Sequence, residues 1–165
     1  MSQYQIAQLN IARLVAPIDS PQLSDFVANL ARINALAEDS PGFVWRLQTE
    51  DGDATGIDYF GDDTIVKLSV WASIDALHAY VYRSAHVEIM RRRKEWFQKM
   101  GEAYMVLWWV PAGHMPSVEE AARKLNTLRE QGPTAEAFTF KKAFPAPTAF
   151  SGASAGAAAG ECPGI

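Results

Sequence analysis

Cysteine is nearly missing from this chain of 165 residues: the one thiol, Cys162, falls among its last four residues. A single thiol builds neither a disulfide framework nor a thiolate metal cluster within one chain. Basic excess is missing too. Fifteen Lys and Arg stand against nineteen Asp and Glu, for a net charge of −4, and such a surface does not draw in a phosphate backbone, so no nucleic-acid partner is expected. No apolar stretch approaches the ~20 residues needed to cross a bilayer, and the opening MSQYQIAQLNIARL has neither the basic patch nor the continuous apolar run of a signal peptide. The expected setting is therefore the cytoplasm, without a membrane partner. The ending Cys-Pro-Gly-Ile outlines a prenylation box, but Pro and Gly replace its aliphatic pair and no polybasic stretch flanks it, so it is read as coincidence.

Several chemical signatures are absent as well. The three histidines, His78, His86 and His114, form no HxxxH or HExxH pair, so a resident metal is not expected. No GxGxxG follows a strand and no Walker loop occurs, which removes the usual cradle for nucleotide cofactors. A GxSxG elbow for a serine nucleophile is also lacking.

What the chain does have is material for a core: 48% hydrophobic and 21% charged residues, ordinary for a folded domain. Its length suits one domain over residues 1–145. Residues 146–165 are mostly Ala, Gly, Pro and Ser, carry few core-forming side chains and are read as a flexible tail. Residues 4–15 alternate as a strand, with Ala7, Leu9 and Ile11 on one face and Gln8 and Asn10 on the other. Ser20-Pro21 opens a helix carrying Leu23, Phe26, Val27, Leu30, Ile33, Asn34 and Ala37, which ends near Ser40-Pro41-Gly42.

A second strand is predicted over Phe43–Thr49, with Phe43, Trp45 and Leu47 opposite Val44, Arg46 and Gln48. A Gly- and Asp-rich loop leads to a third strand over Thr64–Ala72, in which Val66, Leu68 and Val70 oppose Lys67, Ser69 and Trp71. Ser73 caps a helix that kinks near Arg83-Ser84 and runs on to about Met100. Tyr104–Val110 is a fourth, doubly apolar strand. The order βαββαβ predicts an α+β fold: a ferredoxin-like antiparallel sheet with helices on one face. A C-terminal helix over Ser117–Gln131, opened by a capping-box pattern, and a short strand-like segment over Ala137–Phe144 follow.

The sheet face carrying Asn10, Arg46, Ser69, Trp71 and Trp45 is too mixed for a core and too aromatic for water, so a second copy is expected to cover it, giving a homodimer. The competing arrangement folds the C-terminal helix and the Ala137–Phe144 segment back over that face of a monomer.

The helix near Ser84 supplies the leading candidate. Ser84 is placed to cap the amide near Val87, and His86, one turn in, feels the helix dipole against its proton. A neutral imidazole can take a proton from a substrate or offer a lone pair to a haem, or it can simply pack. Helical spacing puts His86, Met90, Arg93 and Phe97 on one stripe, so an imidazole and a guanidinium face one volume, a pairing suited to an acidic or enolisable substrate. Arg46 awaits a ligand anion or pairs with a helix carboxylate such as Glu88 or Glu95. Asn10, Ser69, Trp71 and Tyr82 are expected around the same pocket, with Trp45 stacking on a substrate ring and one of Trp108 and Trp109 lining it. His78 reads as a packed histidine and His114 as a surface one.

The runs AQLNIARL, SPGFVWRLQTEDGDA, SVWASIDALHAYVYRSAHVEIMRRRKEWF, YMVLWWVPAGHMPSVEEA and GPTAEAFTF resemble a bacterial domain-of-unknown-function family assigned to the dimeric α+β barrels, over nearly all of residues 5–142. That superfamily holds cofactor-free monooxygenases of polyketide quinol and anthrone rings, haem-degrading enzymes, isomerases and stress proteins, so the resemblance implies the barrel without selecting a reaction. The expectation is a homodimeric enzyme acting on an aromatic or polyketide-like small molecule without a cofactor. His86 would act as base or anchor, and Arg46 or Arg93 would hold the oxyanion. A haem-binding barrel with His86 as axial ligand and a non-enzymatic stress or binding module are the alternatives, the latter favoured if Trp and Phe fill the cavity.

Overall fold

A computed structural model describes residues 3–48, 60–61, 63–84 and 86–147. The expected tail from residue 148, Cys162, most of the Gly- and Asp-rich loop and the end of the second strand at Thr49 lie outside the described residues. Four strands, β1 (Tyr4–Arg13), β2 (Phe43–Arg46), β3 (Thr64–Trp71) and β4 (Met105–Pro111), form one antiparallel sheet in the order β2-β3-β1-β4. This is the ferredoxin-like α+β layout. α1 (Ser24–Asp39) joins β1 to β2, while α2 (Ile74–Arg83), α3 (His86–Arg91) and α4 (Arg93–Trp96) join β3 to β4. α5 (Val118–Gln131) follows the sheet.

The helix starts follow local chemistry. Ser73 accepts from the amide of Ala76 at 3.1 Å and Ser117 from that of Glu120 at 3.0 Å, each satisfying an orphan donor of the first turn. Ser20 does not cap: a 3-10 turn, Pro21–Leu23, precedes α1, and the Ser20 hydroxyl is buried without a partner. The capping box at Ser117 is half made, because the Glu120 carboxylate accepts instead from Trp108 Nε1 at 2.9 Å and meets His114 at 2.7 Å. The long helix expected to reach Met100 stops at Trp96, where Phe97 turns extended and bridges Leu14.

The two sheet faces are covered differently from the expectation. Ala7, Leu9, Ile11, Val66, Leu68, Val70, Val106, Trp108 and Val110 form the purely apolar face, and all are buried within one chain, packed with Ala121, Leu125 and Leu128 of α5. The mixed face, with Gln8, Asn10, Ser69 and Trp71, lies under α1 to α4. The face expected to need a second copy is therefore the one its own helices roof over. A roof resting on its rim does not fill the space beneath, and polar residues tolerate that space because it is a cavity and not a core.

Beyond α5, Phe138 exchanges two backbone hydrogen bonds with Leu107, at 2.8 and 2.9 Å, on the outer edge of β4. The Ala137–Phe144 segment thus docks on that edge by a single bridge and covers it with Phe138 and Phe144. Covering an edge strand blocks further pairing there.

Candidate functional site

Strand alternation builds the floor of the cavity. Antiparallel register aligns Trp71 with Ile6, Ser69 with Gln8, Lys67 with Asn10 and Ile65 with Ala12. Arg46 joins the Ser69 row, and Met105 faces Asn10 from β4. Rows two residues apart lie about 6.6 Å apart along a strand, so the floor from Trp71 to Ile65 runs about 20 Å.

A bulge decides which β2 residues take part. The register shifts between Phe43 and Trp45, so Phe43 pairs with Trp71 and Arg46 with Ser69, both on the cavity face, while Trp45 packs against the α5 side. An extra residue in one strand flips the faces that follow it. Simple alternation had put Phe43 with Trp45, and Trp45 is not part of the site.

The cavity has a volume of ≈ 380 Å³, enough for a small ring system. Asn10, Arg46, Ser69, Trp71, Tyr82, His86 and Arg93 line it. Trp109 does not: it shares the face, but its Nε1 donates to the carbonyl of Phe144 at 2.9 Å, beneath the C-terminal segment. Tyr82, 46% exposed, stands at the rim. Met90 and Phe97 also line the cavity, so the His86 stripe survives the helix break at Arg92.

His86 has a defined electronic state. Its Nδ1 lies 3.4 Å from the carbonyl of Val81, which can only accept, so Nδ1 carries the proton and Nε2 keeps its lone pair. Among the described residues nothing partners Nε2. Burial holds the imidazole below the ordinary histidine pKa; the Val81 bond opposes this and the Lys67 charge adds to it. Neutrality thus comes mainly from desolvation and not from a dipole, since α3 spans only six residues. Ser84 does cap, but its hydroxyl receives the amide of His86 at 3.1 Å, while the Val87 amide goes to the Ser84 carbonyl.

Beside His86 stands an aromatic stack that sequence reading missed. Tyr80 lies against Trp71 with ring centroids 5.1 Å apart at 28°, and against His86 at 4.9 Å. Burial pushes the Tyr80 phenol well above its ordinary pKa, with Arg46 opposing, so it stays protonated and donates to the Ile33 carbonyl at 3.3 Å. The signal was present: Tyr80 falls three residues after Leu77, on the inward stripe of α2. Trp71 Nε1 donates to Ser69 Oγ at 3.0 Å, and Ser69 donates to Gln8 Oε1 at 3.3 Å, which fixes the floor.

The cations divide by partner. Arg46 pairs with Glu38 of α1 at 3.0 Å, not with Glu88 or Glu95. Arg92 is spent on Asp25 and Glu95, both at 2.9 Å, and Arg91 on Glu88 at 3.5 Å. Arg93 turns inward. It donates to Tyr104 Oη at 2.9 Å and lies 4.9 Å from that ring's centroid, with no carboxylate partner among the described residues. Lys67, also on the floor, reaches Asn34 Oδ1 at 3.4 Å. His78 packs between Tyr82 and Phe140. Among the described residues no three His, Cys, Asp or Glu side chains gather into a metal cage, and no helix is long and apolar enough to cross a membrane.

Fold and site together define an α+β protein with a ferredoxin-like sheet and, between sheet and helices, a cavity lined by a neutral histidine. The chain belongs to the family described as a domain of unknown function (DUF3291), whose model matches residues 5–153. No curated protein matches it. Among solved structures it is similar to a Nitrosomonas europaea protein of unknown function, at 15% identity over 70% of this chain and 97% of that one, with a TM-score of 0.44. It is also similar to SnoaB, a cofactor-independent oxygenase from Streptomyces nogalater, at 16% identity over 67% and 95%, with a TM-score of 0.42.

Proposed function

We propose that this protein is an oxidoreductase of the monooxygenase type, acting without a cofactor on an aromatic or polyketide-like small molecule. The observation that carries this is the neutral His86, its Nε2 without a partner among the described residues, on the wall of a cavity lined by both polar and apolar side chains. A base poised in this way takes a proton from a phenol or from a ring-activated methylene. The anion it leaves is electron-rich, and Arg93, free of a carboxylate, stabilises the oxyanion form in a setting of low dielectric. Trp71 and Tyr80 offer flat surfaces for the ring.

The reaction closes without an added reductant. The carbanion reduces molecular oxygen, a carbon–oxygen bond forms, one oxygen atom stays as a carbonyl and the other leaves as water. The methylene supplies all the electrons. The open volume speaks against a module whose cavity is filled by its own aromatic side chains.

Oxygen uptake and product formation against a panel of anthrones and quinols test the reading. His86→Ala is expected to lower kcat/KM about 10²–10⁴-fold, and Arg93→Met about 10²-fold. Undiminished turnover in His86→Ala removes the base, and no uptake by the intact protein with any member of the panel removes the reaction. A Soret band that develops with hemin and is lost in His86→Ala would put a haem ligand in its place.

A further inference from the structure

On the α5 side of the sheet, away from the His86 cavity, β1 ends and β3 begins at a second recess of ≈ 460 Å³ that the proposed reaction does not use. Three cations line it: Arg13 from the end of β1, Lys99 from the loop after α4, and Arg129 from α5. Among the described residues of the lining one carboxylate, Glu102, stands with them, 3.4 Å from Arg129. On a chain of net charge −4, cations outnumber carboxylates three to one among the described residues of this lining.

The frame is tied down from three directions. Gln98 donates its amide to the Arg13 carbonyl at 2.8 Å and its side chain to the Leu14 carbonyl at 2.8 Å, so the loop that carries Lys99 is stitched beside Arg13. Arg129 Nε donates to the Ala103 carbonyl at 2.8 Å, which holds its guanidinium against the far end of the same loop. Thr64, directly across from Arg13 in the β1–β3 register, is 7% exposed. Neither Arg13 nor Lys99 meets a carboxylate among the described residues.

Like charges gathered on a fixed frame repel one another unless an anion joins them. We propose that this recess binds the phosphate group of a phosphorylated small molecule, with Arg13, Lys99 and Arg129 as the charged contacts and Thr64 as a neutral donor. Guanidinium forks and an ammonium suit the three oxygens of a phosphate. Phe60 and Met100 on the same lining offer apolar surface to an organic remainder.

Calorimetric titration of the full-length protein in a phosphate-free buffer with pyrophosphate, adenosine monophosphate and citrate decides the matter. Saturable binding of a phosphate compound, weakened by added salt, is expected. Arg13→Gln and Lys99→Gln, both at exposed positions, should each weaken it about 10-fold or more. Preference for the monophosphate ester assigns an organic phosphate, and preference for pyrophosphate assigns an inorganic one. Arg93→Met must leave the binding unchanged; if it abolishes it, the anion sits in the other cavity and the proposal fails. Binding that is not saturable, that is indifferent to Arg13→Gln and Lys99→Gln, or that is confined to citrate also overturns it.

Discussion

His86 and Arg93 show how environment, more than residue type, sets chemistry. Desolvation is the largest influence on His86, and the sign of its effect on stability follows. Its folded-state pKa lies below the unfolded value of about 6.5, so between those two values the unfolded chain binds a proton that the folded one refuses. Stability therefore falls as pH drops from about 6.5 toward the folded-state value, and it is flat in this residue above about 6.5. Urea midpoints measured at pH 7.5 and 5.5 should show a smaller acid loss in His86→Leu than in the parent protein. An equal loss in both would mean that the imidazole is not desolvated. The acid limb of kcat/KM should likewise lie below the ordinary histidine range. Position 86 was legible in the sequence as a candidate, and Trp71 as its neighbour around one pocket, but its partner Val81 and the Tyr80 ring were not, because they meet it only when α2 and α3 fold over the sheet.

Among the elements, the turns and the bulge do most to place the site. Gly42, in the Ser40-Pro41-Gly42 stop that sequence marks as the end of α1, has φ of +86°, and a Cβ there would lie 2.4 Å from the Cβ of Ala76. Close approach of α2 to the start of β2 thus depends on the missing methyl. Gly42→Ala is expected to cost more than about 2 kcal/mol, combining left-handed strain with overpacking. Chemical denaturation checks it, and a loss below about 0.5 kcal/mol, the range of an ordinary surface substitution, would show that α2 can retreat. Periodicity located β1, β3, β4, α1, α2 and α5 to within a residue or a few. It could not reveal the β2 bulge, since one extra residue in a short strand leaves its composition unchanged while reversing the facing of everything beyond. Trp45 was lost to the site for that reason.

For the whole molecule, the decisive fact is that one chain closes both faces of its sheet. If each chain of the homodimer expected from sequence carries its own site, activity per chain stays constant on dilution, while sedimentation velocity reports whether the species changes. Activity that falls as a dimer dissociates would show that a second copy completes the site. The sequence by itself determined the α+β class, the βαββαβ order, the candidate histidine and arginines and the family, because alternation, helical spacing and caps are local and survive without partners. Only the tertiary structure decided which sheet face the helices roof over, which arginine pairs and which stays available, and where empty volume remains. Those depend on residues distant in the chain meeting across a gap, and a void has no signature in the order of the residues that surround it.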